Sequence, residues 1–324
     1  MSSNVVLNKS KYCSGNDEFY TTYETIEKEL THYKTSLFNK TIYCNCDDPL
    51  RSNFSLYFIK NFNKLNLKSL ICTSFNDKGK GFFLSLQSVP SWINDKTSSE
   101  EIIEFLNNHN IVKKLHSNGD FRCQECVSLL KLSDVVITNP PFSLFREWID
   151  LVVKYSKQFL VIGNSNALSY KNIFPLIQNN KVWIGNTFGE MKFRVPNYYE
   201  PKKYRYWVDE HGQKWRSIGN AMWLTNIDFK RRHTDLELCR SYSPDIYQTY
   251  DNYDAIEVPK VVDIPKDFDG IMGVPITFLN KHNPAQFDIV GEANHGSDNA
   301  FDLFKPLING NLKFKRILIK KVAV

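Results

Sequence analysis

Short hydrophobic runs, each followed by polar or turn-forming residues, recur along the first two thirds of the chain. They predict strands at residues 41–44, 69–73, 82–86, 135–138, 159–163, 182–185 and 222–225. Between several of them, hydrophobic residues three and four positions apart predict helices at residues 53–65, 99–107 and 144–155. Strands that alternate with helices favour an α/β fold built on a mainly parallel sheet.

The N-terminal region has a helical pattern of its own. Within residues 18–38, Ile26, Leu30, Tyr33 and Leu37 recur at spacings of three and four. Asp17 precedes this stretch and is the predicted cap of its first turn.

Charge is unevenly distributed. The 324-residue chain has a net charge of +6, and residues 191–240 contain 11 Lys or Arg against 6 Asp or Glu. Aromatic residues alternate with these basic residues, a pattern suited to phosphate contacts and groove insertion or, equally well, to a solvated surface. We therefore predict a catalytic domain at residues 1–190, joined by a strand at residues 222–226, and a recognition region at residues 191–324.

Seven cysteines and the hydropathy profile limit the class of protein. No apolar run approaches the ~18 residues of a membrane span, and residues 1–20 lack the core of a signal peptide. We expect a cytoplasmic monomer without membrane contact, and reduced thiols rather than disulfides. Cys123-x-x-Cys126 lacks a second ligand pair at related spacing, so no metal site is predicted.

The sharpest chemical signal is Asn139-Pro140-Pro141-Phe142 at the end of a hydrophobic strand. An exocyclic amino group on a base is a poor nucleophile because its lone pair is delocalised into the ring. The Asn139 side-chain oxygen and the Pro140 carbonyl can accept its two hydrogens, and Pro-Pro keeps these acceptors rigid. Phe142 offers a flat face for an extruded base.

Four segments make the sequence resemble the amino-methylating DNA methyltransferases, and more narrowly the EcoRI-type modification methylases. They are residues 16–21, residues 43–49 with 52–54, residues 134–146, and residues 250–256 with 270–279. The resemblance implies a Rossmann-like S-adenosylmethionine-dependent sheet with a C-terminal target-recognition region, in the order called gamma. It also implies methylation of adenine in double-stranded DNA, and a cognate restriction endonuclease for the same site, for which GAATTC is the first guess.

The resemblance also assigns cofactor residues by position. Asp48-Pro49, with Asp47 assisting, matches the loop beside the methionine moiety, and Phe19, Tyr20 and Thr21 match the element that encloses it. Asp120 and Phe121 match the residues that contact the cofactor adenine. A capped turn at Asp47-Asp48 and a plain loop acid at Asp120 remain alternative interpretations.

Two features depart from the family pattern. Residues 50–53 replace the usual glycine-rich turn, which makes Ser52 and Asn53 candidate cofactor contacts. Residues 73–75 lack the acid that commonly holds the cofactor ribose, and Asp77 is a weak substitute.

The basic region supplies the candidate DNA contacts, namely Lys192, Arg194, Lys202, Lys203, Arg205, Lys214 and Arg216. An RNA or protein-glutamine methyltransferase with the same Asn-Pro-Pro-aromatic motif is one alternative. A DNA-binding relative that has lost catalysis is another.

Overall fold

The computed structural model describes residues 19–294 and 305–322. Its α-helices are α1 (Tyr23–Leu30), α2 (Lys34–Leu37), α3 (Asn53–Lys60), α4 (Ser99–Asn108), α5 (Gln124–Leu132), α6 (Phe145–Lys154) and α7 (Phe174–Gln178). Short 3-10 helices lie at Phe142–Leu144, Ser165–Ser169, Lys230–His233, Val261–Asp263 and Ile276–Lys281.

Each predicted run overlaps a strand, and further strands lie where none was predicted. They are β1 (Tyr20–Thr21), β2 (Thr41–Cys44), β3 (Ser69–Ser74), β4 (Phe82–Leu86), β5 (Lys113–Lys114), β6 (Val135–Thr138), β7 (Gln158–Asn164), β8 (Trp183–Ile184), β9 (Met191–Arg194), β10 (Tyr206–Val208), β11 (Lys214–Ile218), β12 (Ala221–Thr225), β13 (Ala255–Glu257), β14 (Ile271–Val274), β15 (Phe287–Ala293), β16 (Leu307–Ile308), β17 (Asn311–Leu312) and β18 (Arg316–Lys321).

The chain divides into two compact units. Of the described residues, the first contains 19–165 and 187–227, and the second contains 166–186, 228–294 and 305–322. The first unit thus extends past the boundary predicted at residue 190. The division into catalytic and recognition parts stays a prediction.

A mixed sheet is the centre of the first unit. Its strands lie in the order β5, β4, β3, β2, β6, β7, β12. The four central strands β3, β2, β6 and β7 are parallel, and antiparallel pairs flank them on both sides. The expected α/β class is confirmed, and the carboxyl ends of β2, β3 and β6 meet at one edge of the sheet.

The helices pack on this sheet through the residues that the periodicity indicates. On α6, Phe145, Trp148, Ile149 and Val152 are buried. The Trp148 indole donates to Asn45 Oδ1 over 3.0 Å, which ties this helix to the loop after β2.

The N-terminal helix differs from its prediction. It begins at Tyr23, and the hydroxyl of Thr22 caps it by accepting from the Thr25 amide over 3.2 Å. Tyr20 and Thr21 form a strand instead, because they pair with Phe193 and Arg194 of β9. The predicted cap Asp17 lies outside the described residues.

The second unit has its own four-stranded sheet, in the order β13, β14, β18, β15. Glu257 on β13 is buried and accepts from the Arg316 guanidinium and from the Tyr250 hydroxyl. A Cβ at Gly273 would lie 2.1 Å from that hydroxyl, so the close packing of Tyr250 requires glycine there.

Within the described residues, no helix combines the length and the apolar character that crossing a bilayer requires.

Candidate functional site

Asp47 links the loops that follow β2 and β6. Its Oδ2 accepts from the Thr138 hydroxyl and its Oδ1 from the Ser52 hydroxyl, each over 2.6 Å. Burial raises the pKa of Asp47 to about 6, although the two hydroxyl hydrogen bonds oppose the shift. Thr138 immediately precedes Asn139, so this carboxylate fixes the strand end that carries the candidate catalytic asparagine.

The Asn139 amide has a defined orientation. Its Nδ2 donates to the Phe19 carbonyl over 2.7 Å and to Thr21 Oγ1 over 3.4 Å. Its Oδ1 is buried and has no hydrogen-bond partner within the described part of the chain. Since buried polar atoms are normally paired, this oxygen is an acceptor available to a ligand.

The rest of the tetrad forms a tight turn. Pro140 is buried, and the Pro141 carbonyl accepts from the Leu144 amide over 3.0 Å. The Phe142 ring is half-buried and stacks on Phe19, with ring centroids 5.5 Å apart and planes 24° apart. Phe19 therefore contacts the tetrad through both its carbonyl and its ring.

The loop after β2 lies beside the same site. Asp48 Oδ1 accepts from the Leu50 amide over 2.9 Å, and its carbonyl accepts from the Ser52 amide over 2.9 Å. Asp48 thus caps a turn that leads through Pro49 into α3. Ser52 caps α3 through the Phe54 amide, and Asn53 donates to the Thr21 carbonyl over 2.7 Å. Hydrogen bonds thus join this loop to α3 and to Thr21, and its cofactor contacts stay a prediction.

Asp120 holds an arginine that sequence reasoning missed. Arg122 donates to both of its carboxylate oxygens, over 2.9 Å from Nε and 2.6 Å from Nη2, and also binds Glu147. Partial burial raises the pKa of Asp120, but these hydrogen bonds outweigh it and lower the pKa overall. Phe121 is buried beside them. Arg122 is a short-range partner that the sequence could have suggested, whereas Glu147 comes from a distant helix.

The end of β3 has a second unpaired polar atom. Ser74 Oγ is buried and has no hydrogen-bond partner among the described residues. The loop carrying Asp120 packs closely here, because a Cβ at Gly119 would lie 2.1 Å from the Ser74 carbonyl. Gly119 also has φ +80°, a conformation that favours glycine.

We call β9, β10, β11 and their connections (residues 191–218) the basic sheet. The strands are antiparallel in the order β9, β11, β10, with β1 at the other edge of β9. All seven candidate DNA contacts lie in this segment. Those with exposed side chains are Lys192, Lys202, Lys203 and Arg205.

The half-buried basic residues support the sheet itself. Lys214 donates to the Tyr199 carbonyl over 3.1 Å, and Arg216 donates to the Arg205 carbonyl over 3.1 Å. Arg194 faces Trp215 across β9 and β11. The exposed residues are therefore the better candidates for phosphate contacts, and the sequence alone did not separate these two groups.

No group of three or more His, Cys, Asp or Glu in residues 19–294 and 305–322 could hold a metal ion. The six cysteines described there are free thiols. Cys123 instead caps α5, with its sulfur accepting from the Cys126 amide over 3.4 Å.

Comparison with known proteins places this geometry in context. The family model described as adenine-specific methyltransferase EcoRI matches residues 6–322. The type II methyltransferase M.EcoRI of Escherichia coli is 44% identical over 98% of this chain and 97% of its own length. M.MgeORF184P of Mycoplasma genitalium, also described as a type II methyltransferase, is 36% identical over 95% of this chain and 96% of its own length. M.MpnI of Mycoplasma pneumoniae, a third type II methyltransferase, is 37% identical over 85% of this chain and 82% of its own length. No solved structure matches the chain.

Proposed function

Because this chain belongs to the EcoRI family of adenine-specific methyltransferases, we propose that it methylates the exocyclic amino nitrogen of adenine in duplex DNA. The methyl donor is S-adenosylmethionine, and the enzyme modifies the site of a type II restriction-modification system. Its DNA substrate would place it in the cytoplasm, alongside a cognate endonuclease that acts on the same site.

The buried, unpaired Oδ1 of Asn139 is the observation that carries this proposal. The two hydrogen bonds from Nδ2 direct the oxygen away from Phe19 and Thr21. An amino group that donates to Oδ1 and to the Pro140 carbonyl has its lone pair drawn out of conjugation with the ring. The hydrogen bonds from Nδ2 hold Oδ1 in place before the substrate binds, which is how electrostatic preorganisation accelerates a reaction.

Base flipping follows from the position of the tetrad. In a duplex, one hydrogen of the adenine amino group pairs with thymine, so both hydrogens can reach the two acceptors only when the base leaves the stack. Phe142 supplies the ring for the extruded base, and Phe19 contributes a second ring to the same aromatic cluster. No covalent enzyme intermediate is required, since the amino nitrogen itself is the nucleophile.

The sheet edge also fits the cofactor. S-adenosylmethionine supplies a methyl group bound to a positively charged sulfur. In Rossmann-like sheets, ligands bind beyond the carboxyl ends of the parallel strands, where Ser74 Oγ and Asn139 Oδ1 are both unpaired. The residues proposed to hold the cofactor are Phe19, Tyr20, Asp47, Asp48, Pro49, Ser52, Asp120 and Phe121, with Ser74 in addition. The sequence also suggested Thr21 and Asn53, but their side chains bond to Asn139 and to the Thr21 carbonyl, so we propose a supporting role for these two instead.

The basic sheet is the proposed duplex-binding surface. Lys192, Lys202 and Lys203 are exposed and lie over the rings of Trp207, Tyr199 and Tyr204, at 5.9, 5.8 and 5.4 Å from the ring centroids. Long cationic side chains beside flat rings suit contacts to phosphates and to the groove walls.

The decisive experiment is methyl transfer from labelled S-adenosylmethionine to duplex DNA, with RNA and a mixed protein substrate assayed in parallel. We expect label in duplex DNA alone, and long-read sequencing of modified plasmid should place it on adenines within one short sequence. Asn139→Ala should bind the cofactor in calorimetry and lose most turnover. Asn108→Ala, which changes an exposed asparagine on α4, is the matched control.

Two outcomes would contradict the proposal. Label in RNA or protein instead of DNA would assign the tetrad to another substrate class. DNA binding without any cofactor binding would make the chain a catalytically silent relative.

A further inference from the structure

Strand β1 and the residue before it connect the candidate catalytic asparagine to two other parts of the first unit. The Phe19 carbonyl and the Thr21 hydroxyl accept from Asn139. The Thr21 carbonyl accepts from the Asn53 side chain at the start of α3, over 2.7 Å. The backbone of Tyr20 and Thr21 pairs with β9 of the basic sheet.

These contacts determine which face Asn139 presents. An asparagine amide has one accepting and one donating side. If the amide rotated by half a turn, Oδ1 would face the Phe19 carbonyl, which can only accept and lies 2.7 Å from the present Nδ2. Lone pairs would then repel, so β1 keeps Oδ1 available to the target amino group.

Strand β1 cannot hold this position through sheet pairing alone. It contains two residues and lies at the edge of its sheet, and among residues 19–294 and 305–322 only β9 pairs with it. So short an edge strand is weakly fixed by its own ladder. Asn53 supplies an additional anchor from a helix whose first turn is fixed by the Ser52 cap and the buried Phe54.

We propose that Asn53 and Thr21 are positioning residues for Asn139. Asn53 holds the Thr21 carbonyl, β1 thereby holds the Asn139 amide, and the amide presents its oxygen to the adenine amino group. This role rests on the proposed function of Asn139. It differs from cofactor binding, because it acts on the methyl-transfer step rather than on affinity for S-adenosylmethionine.

The first test compares Asn53→Ala with Asn61→Ala. Asn61 lies just after the same helix and its side chain also donates to a main-chain carbonyl, that of Tyr57 over 2.9 Å, so it is a matched control. We expect Asn53→Ala to lower the single-turnover methylation rate roughly 10- to 100-fold, as misplacement of a reacting group does. Dissociation constants for the cofactor and for duplex DNA should stay within about threefold of wild type.

Thr21 provides an independent test. Thr21→Val keeps the shape and the strand pairing but removes the acceptor hydroxyl, and we expect a rate reduced by roughly 3- to 10-fold for the loss of one long hydrogen bond. Thr21→Ser restores the hydroxyl and should restore most of the rate. An equal loss in Thr21→Val and Thr21→Ser would overturn the assignment to the hydroxyl.

A double-mutant cycle separates positioning from a general structural role. If Asn53 acts through Asn139, adding Asn53→Ala to Asn139→Ala should not lower the residual rate further. Additive losses, an unchanged rate in Asn53→Ala, or a cofactor affinity that falls in parallel with the rate would each overturn the proposal. By contrast, full activity of Asn139→Ala alone would refute the proposed function itself.

Discussion

Replacing Asp47 by asparagine should make the first unit more stable and the enzyme slower. The carboxylate is 6% exposed, and its pKa is raised from 3.8 to about 6, chiefly by burial. At neutral pH the folded protein therefore keeps a buried negative charge that the unfolded chain holds in water. A shift of about two pKa units corresponds to a cost of about 3 kcal/mol.

The sign of the pH dependence follows from the raised pKa. Between about pH 4 and pH 6 the folded state binds a proton that the unfolded state has lost, so stability falls as the pH rises through this window. Above about pH 6, the full free-energy cost of burying the Asp47 charge is present. Asp47→Asn removes the charge but leaves one hydroxyl of Ser52 or Thr138 without its acceptor, at about 1 kcal/mol. The net gain is about 2 kcal/mol near pH 7.5.

Hydrogen exchange of the β2 and β6 amides measures the stability of this unit directly. The gap between Asp47→Asn and wild type should be widest near pH 7.5 and shrink toward about pH 4.5. The rate of methyl transfer should be lower in Asp47→Asn than in wild type, because Thr138 and Ser52 no longer donate to the same carboxylate. The exposed Asp95→Asn serves as the control. A variant that is less stable than wild type at pH 7.5, or a gap that does not depend on pH, would refute the reasoning.

Three further predictions concern the same edge and the basic sheet. Asn139→Asp keeps an acceptor oxygen but places a second one against the Phe19 carbonyl, so we expect methylation rates at least about 100-fold lower despite normal cofactor binding. Ser74→Ala should weaken S-adenosylmethionine binding by roughly 3- to 10-fold in calorimetry, and an unchanged affinity would exclude Ser74 from the cofactor site. Neutralising Lys202, Lys203 and Arg205 together should weaken binding to all duplexes alike and reduce the slope of log affinity against log salt by about three. An unaltered slope would assign these charges to another role.

The strand and helix pattern was predictable because buried runs and helical spacing are local signals. The strands at 41–44 and 135–138 have their predicted bounds, and the tetrad follows the second of them. The place where α1 begins was not predictable in the same way, because a strand precedes it. Tyr20 and Thr21 form a strand because Phe193 and Arg194 pair with them, and nothing near residue 20 in the sequence signals that partner.

The chemistry of the site was likewise predictable only where it depends on local sequence. Residue types alone indicated that Asn139 can accept from an amino group, since this depends only on its side chain and its position after a strand. That Asn139 must also donate could not be inferred, because the acceptor is a main-chain carbonyl at Phe19. The sequence likewise showed the acid at Asp120, but not that Arg122 would bridge it to Glu147.

The basic segment and the Asn-Pro-Pro-Phe segment are far apart in the sequence and were interpreted there as two separate functions. In the structure, β1 pairs with β9 through its backbone, while the Phe19 carbonyl and Thr21 hydroxyl bind Asn139. The β9 strand of the basic sheet and the Asn139 amide are therefore joined through the same short segment of chain. Under the proposed function, the duplex-binding surface and the methyl-transfer site would share this one short strand. This connection explains why residue 139 must donate as well as accept, a requirement that asparagine meets and an ionised aspartate does not.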